Sequence, residues 1–121
     1  MKRRLYASAL LITLCTLVLA MTPKARAADA EEGKKVYMQF CSSCHGQSGK
    51  GDGPAAAALN PKPRDHTDKE YMSKLSDDDI FKVVKNGGAS VGKSPLMPAW
   101  GATLKDDQIQ DVVAYVRTLS K

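Results

Sequence analysis

Three stretches of this chain repeat apolar residues at helical spacing, and two long stretches between them show neither helical nor alternating order. The first runs from about Ala30 to Cys44. Gly33, Val36, Tyr37 and Phe40 recur three and four residues apart and so fall on one side of a helix. Asp29 stands where an N-cap is needed. Gly33 would weaken an isolated helix, but beside an aromatic face it lets a second helix approach closely. The second stretch runs from about Asp77 to Asn86, with Ile80, Val83 and Val84 as its apolar stripe. Ser76 followed by Asp79 reads as a capping box, and Gly87-Gly88 ends the helix. The third runs from about Asp106 to Ser120 and carries Ile109, Val112, Val113, Val116 and Leu119 on a core-facing side. Its acids Asp106, Asp107 and Asp111 come early and Arg117 and Lys121 late, the order a helix dipole favours. The pattern predicts an all-α fold of three main helices.

The intervening stretches are rich in glycine and proline. Gly46 to Arg64 holds Gly49, Gly51, Gly53, Pro54, Pro61 and Pro63; Gly87 to Gly101 holds Gly92, Pro95 and Pro98. Ala55 to Leu59 fits a short helical turn after Pro54. Long irregular segments inside a small domain commonly carry function.

The N-terminus reads as a secretory leader. Lys2, Arg3 and Arg4 precede an apolar run from Leu5 to Met21, and Ala25 and Ala27 offer a cleavage site before Ala28. Ala28-Asp29-Ala30 is a second possible site. The apolar run is shorter than the ~20 residues that span a bilayer, so cleavage is favoured over a retained anchor. Cys15 lies within the run and leaves with it. The expected organisation is a signal peptide over residues 1–27 and one domain over residues 28–121, exported to the periplasm.

Losing the leader changes the charge. The chain carries a net charge of +5, and five basic residues, Lys2, Arg3, Arg4, Lys24 and Arg26, lie ahead of residue 28 with no acid among them. The mature chain is close to neutral. It has no basic stripe with interleaved aromatics, which argues against nucleic-acid binding. No lasting membrane association is expected after cleavage, and the chain is expected to be a monomer.

A domain this short buries a modest core and commonly needs a staple. Only Cys41 and Cys44 remain, too close together to close a large loop. They stand in Cys41-Ser42-Ser43-Cys44-His45. Two thiols three positions apart on a helical turn point the same way. They can add to the two vinyl groups of a haem, and the histidine directly after them can reach its iron. Three other chemistries compete. A thioredoxin-like pair needs a βαβ setting, which is not visible here. A zinc site needs about four ligands, and only His66 is available to join Cys41, Cys44 and His45. A plain disulfide leaves His45 unexplained.

The iron's second axial ligand is a separate choice. Met97 lies in Ser94-Pro95-Leu96-Met97-Pro98, where prolines on both sides stiffen the backbone. Its thioether suits the role, although methionine more often fills core gaps. His66, in an exposed-looking Arg64-Asp65-His66-Thr67, Met72, or an open position are the alternatives. Around the cofactor, a carbonyl of the Gly51 to Pro54 loop is expected to accept from His45. Arg64 either pairs with a haem propionate or sits free on a loop. Trp100 packs near the haem edge or in the core. Lys50, Lys62 and Lys93 either ring the haem edge or form a solvated surface.

With those residues in view, the chain resembles the class I, monohaem cytochromes c of bacterial periplasmic type over residues 30 to 120. The resemblance rests on Gly33 and Phe40 ahead of Cys41-Ser42-Ser43-Cys44-His45-Gly46, on Leu96-Met97-Pro98-Ala99-Trp100, and on Gln108 to Val116 in the last helix. It implies a cytochrome c fold, three main helices plus short helical turns and irregular loops around one haem c. It also implies first and last helices crossing at Gly33 near Tyr115, and axial His45 and Met97. One departure is Lys105-Asp106 at the start of the last helix, where many members carry Thr-Asp or Ser-Asp; Thr103 is the substitute cap.

The function so implied is single-electron transfer between redox partner proteins by an iron cycling between Fe(II) and Fe(III). The competing class is a haem enzyme or a gas or redox sensor with a displaceable sixth ligand; an enzyme would want a distal acid-base group, for which only His66 is available.

Overall fold

A computed structural model describes residues 26–121. Most of the leader, including Cys15, lies outside the described residues. The order of elements is α1 (Ala30–Phe40), α2 (Ser42–His45), a 3₁₀ turn (Ala56–Ala58), α3 (Lys69–Ser73), α4 (Asp77–Asn86), a second 3₁₀ turn (Gly88–Val91) and α5 (Asp106–Leu119). Among the described residues there is no strand.

The sequence signals set most of the helix ends. The Asp29 carboxylate accepts from the Glu31 and Glu32 N–H groups and starts α1. Ser76 and Asp79 exchange hydrogen bonds at the start of α4. One boundary and one cap differ from expectation. The first helix does not run on to Cys44. It breaks at Cys41 (φ −112°, ψ −32°), and a separate turn of helix carries Ser42 to His45. The last helix begins at Asp106 as expected, but Lys105 and not Thr103 stands at its cap position. The Thr103 N–H donates to the Trp100 carbonyl within a tight turn, and the Lys105 N–H is met by the Gln108 side chain.

Helices α1 and α5 pack most extensively. Their crossing is at Gly33, where a Cβ would lie 1.9 Å from the Asp111 carbonyl oxygen. No side chain fits there, so the glycine that costs helix propensity sets the closest approach of the two backbones. Tyr37 and Tyr115 meet edge-on beside the crossing, ring centroids 5.1 Å apart. Ile109, Val112, Val113 and Val116 of α5 are buried, together with Ile80 and Val84 of α4.

Candidate functional site

The long loops are held by backbone groups that helices leave unpaired at their ends. The carbonyls of Ser43 and Cys44 in α2 accept from the Ala55 and Gly53 N–H groups, folding the Gly46–Pro54 loop back beneath the Cys-x-x-Cys-His turn. Gly51, at φ +73°, would place a Cβ 2.4 Å from the Pro63 carbonyl oxygen. Its bare α-carbon therefore lets the Pro63–Arg64 backbone press against this loop. At the other side of the site, the end of α4 does the same for Met97. The Val84 and Lys85 carbonyls accept from the Trp100 and Gly101 N–H groups, and the Met97 carbonyl accepts from Gly88. The segment carrying Pro95, Met97 and Pro98 is thus stapled to α4.

Between these loops lies a cavity of about 420 Å³, within the usual range of about 300–1,000 Å³ for ligand and cofactor sites. Cys41, Cys44, His45, Met97, Arg64 and Trp100 all line it, together with Phe40, Ile80, Val84 and Val112. Every expected site residue is brought to one chamber. No disulfide joins Cys41, which is buried, to Cys44, which is half-buried. Burial pushes the Cys41 thiol up to about 12. Among the described residues no three His, Cys, Asp or Glu side chains converge as a metal-ion site.

His45 is anchored through one ring nitrogen. Its Nδ1 lies 3.0 Å from the Arg64 carbonyl oxygen. This corrects the expected acceptor, which was a carbonyl of the Gly51–Pro54 loop. That loop instead gives the Gly51 N–H to the His45 carbonyl and clears the way for Pro63 and Arg64. A carbonyl only accepts, so Nδ1 carries the proton and Nε2 keeps its lone pair. Burial lowers the His45 pKa, partly opposed by the Arg64 bond, which favours the neutral, ligating form.

His66 is not exposed as its polar neighbours suggest. Its ring stacks on His45, centroids 4.2 Å apart and planes 19° apart, and its backbone N–H donates to the Gly49 carbonyl. It therefore belongs to the His45 side of the site. Its Nδ1 is buried without a partner, and its pKa is lowered to about 3, first by burial and then by His45.

The Arg64 side chain is exposed, with its guanidinium 3.8 Å above the Tyr71 ring. Lys93 Nζ donates to the Tyr71 hydroxyl at 2.7 Å, so Lys93 is not simply solvated. Trp100 is half-buried, its ring 5.3 Å from Phe40. Tyr71 is the site residue that sequence reasoning passed over; an aromatic in a segment without period gave no signal of the two cations it collects.

Known proteins resemble this chain. The family described as cytochrome c oxidase, cbb3-type, subunit III matches residues 28–116. Cytochrome c6 of Thermosynechococcus vestitus is 35% identical over 109 residues, 87% of each chain. The cbb3-type oxidase subunit FixP of Bradyrhizobium diazoefficiens is 27% identical over 90% of this chain but only 34% of its own length. Among solved structures, the c-type cytochrome KustC0563 superposes with a TM-score of 0.59 at 26% identity, over 74% of this chain and 98% of that one. The protein belongs to the class I c-type cytochromes. It is a monohaem electron carrier of all-α cytochrome c fold with a covalently bound haem c.

Proposed function

We propose that Cys41 and Cys44 hold the haem through two thioether bonds, and that His45 Nε2 and the Met97 sulfur are its axial ligands. In this reading the protein is a periplasmic carrier of single electrons and not an enzyme. The observation that carries the reading is the bond from His45 Nδ1 to the Arg64 carbonyl, which fixes the tautomer and leaves Nε2 for a metal. The site also fits the group in other respects. Its walls are largely apolar, two cysteines outside any disulfide stand beside the imidazole, and a half-buried thioether lines the same cavity.

When bound, the haem supplies the redox chemistry, cycling between Fe(II) and Fe(III). The chain supplies position and surroundings. Phe40, Ile80, Val84 and Val112 exclude water. The proline-flanked Met97 segment, stapled to α4, holds the thioether where it is. Arg64, braced on Tyr71 at the cavity wall, is the partner for a propionate, and Trp100 packs at the edge. The side chain a distal acid-base role would need, His66, is taken up against His45, which supports a carrier over an enzyme or sensor. Residues 1–27 act as the export signal, and the family match beginning at residue 28 supports that boundary. The mature protein works as a monomer without membrane attachment, exchanging electrons with protein donors and acceptors.

The test is Met97→Ala in the exported, haem-loaded protein. The weak sulfur-to-iron charge-transfer band at the red end of the visible spectrum is expected to vanish, and the reduced protein to gain rapid carbon monoxide binding. An unchanged spectrum contradicts the axial assignment.

A further inference from the structure

We propose that leader removal exchanges one cation for another at a buried carboxylate: cleavage between Ala27 and Ala28 discards Arg26 and frees an α-ammonium on Ala28 that pairs with Asp111. The proposal rests on the export reading above and goes beyond it.

Asp111 lies in α5 and is 3% exposed. Two groups satisfy it. The Asp29 N–H donates to Oδ1 at 2.7 Å, and Arg26 Nη2 donates to Oδ2 at 2.6 Å. A carboxylate this buried is costly without such partners. Arg26 lies ahead of both sequence-legible cleavage positions, so neither mature chain keeps it.

The two positions leave different molecules. A cut after Ala30 also removes Asp29. It takes away the N-cap of α1, the N–H on Oδ1, and the carbonyl that accepts from Gly33. Asp111 then loses both partners. A cut after Ala27 keeps all of these. Hydrolysis adds one water across the Ala27–Ala28 bond: the new carboxylate departs with Ala27, and Ala28 retains the amine. An α-amine of pKa about 7.7–8.0 is mostly protonated at neutral pH. This amine belongs to the residue directly before Asp29, whose own N–H already sits on Oδ1. Successive residues are only about 3.8 Å apart, so the freed cation starts within reach of Oδ2, the oxygen Arg26 vacates. Its surroundings favour a positive charge: Ala28 shares a groove with Asp77 and Asp78, and Asp29 and Asp107 act on the Arg26 position. The pair ties the new N-terminus to α5 beside the Gly33 crossing.

The experiment uses the full chain, expressed in a host that exports it and attaches haem. Intact mass of the coloured product is expected to equal residues 28–121 plus one haem. The Ala28 amine, followed by NMR, is expected to titrate above the ordinary α-amine range. Selective acetylation of that amine at mildly acidic pH is expected to lower Tm by about 5 °C, and to change it little in Asp111→Asn, which keeps an acceptor for the Asp29 N–H. A mature chain beginning at Glu31 overturns the proposal and leaves export and haem binding standing. An intact chain beginning at Met1 overturns the proposal together with the reading of residues 1–27 as a cleaved leader. An amine with an ordinary pKa, whose acetylation leaves Tm unchanged, also overturns the proposal, whether or not Asp111→Asn folds.

Discussion

At the scale of single residues, Tyr37 joins the core to the haem-binding motif. It is fully buried, and its hydroxyl donates to the Gly46 carbonyl at 3.0 Å, just past His45. Burial raises its pKa well above 10. The phenol therefore ionises more readily in the unfolded chain. Its contribution to stability is complete below the unfolded value of about 10 and is lost as pH rises beyond it. Tyr37→Phe is expected to reduce stability at neutral pH by about 1 kcal/mol and to flatten the decline above pH ~10. Urea unfolding at a series of pH values measures both, and an unaltered alkaline slope contradicts the account. At this scale, legibility depended on whether chemistry sat in side chains. Cys41, Cys44 and His45 are contiguous and declare themselves. The acceptor for His45 does not, because it is a backbone carbonyl and any residue type supplies one. His66 was misjudged because Asp65 and Thr67 signal solvent. Those two bond to each other in a local turn while the ring between them turns inward.

Among the elements, the three long helices were legible from their apolar stripes, and α1 and α4 also from their side-chain caps. Helix α3 was not. Its five residues, Lys69–Ser73, are too few to display a period. The break at Cys41 was hidden for a related reason, since the spacing of Cys41 and Cys44 fits one turn of helix whether or not that turn continues α1. The sequence placed Arg117 at the end of α5 as a complement to the helix dipole. The structure gives it a longer reach. Its Nε donates to Asp77 at 2.7 Å, its Nη1 to the Met72 carbonyl at 2.7 Å, and its Nη2 to the Leu75 carbonyl. One guanidinium thus ties α5 to the end of α3 and the start of α4, beside Met72 in the cavity wall. Arg117→Ala is expected to cost about 2 kcal/mol, in the range for hydrogen bonds to a charged group. Arg117→Lys is expected to recover less than half of that, because a single ammonium cannot reproduce the fork. Denaturant midpoints of the three proteins test this, and equal stability of the Arg and Lys forms contradicts it.

For the whole molecule, two halves of the chain meet around a chamber that neither builds alone. The Cys-x-x-Cys-His turn hangs from α1, which α5 holds at the Gly33 crossing. The Met97 segment hangs from α4, which also packs on α5. The sequence announced both ends of this arrangement, one through its motif and the other through prolines around a methionine. It did not announce that the backbone N–H groups of Gly53, Ala55, Trp100 and Gly101 lock the loops to helix ends, because such bonds leave no mark on residue identity. The fold has relatives on two scales: cytochrome c6, matched over most of its length, and FixP, matched over about a third.

The central claim is one redox-active haem held by two sulfur bonds per chain. An optical redox titration of the exported protein, with its haem stoichiometry and extractability, tests that claim most directly. The account predicts one haem per chain that acidified organic solvent does not extract, and a fully reversible one-electron titration. A colourless protein with Cys41 and Cys44 both open to alkylation, or a haem that solvent removes, contradicts it.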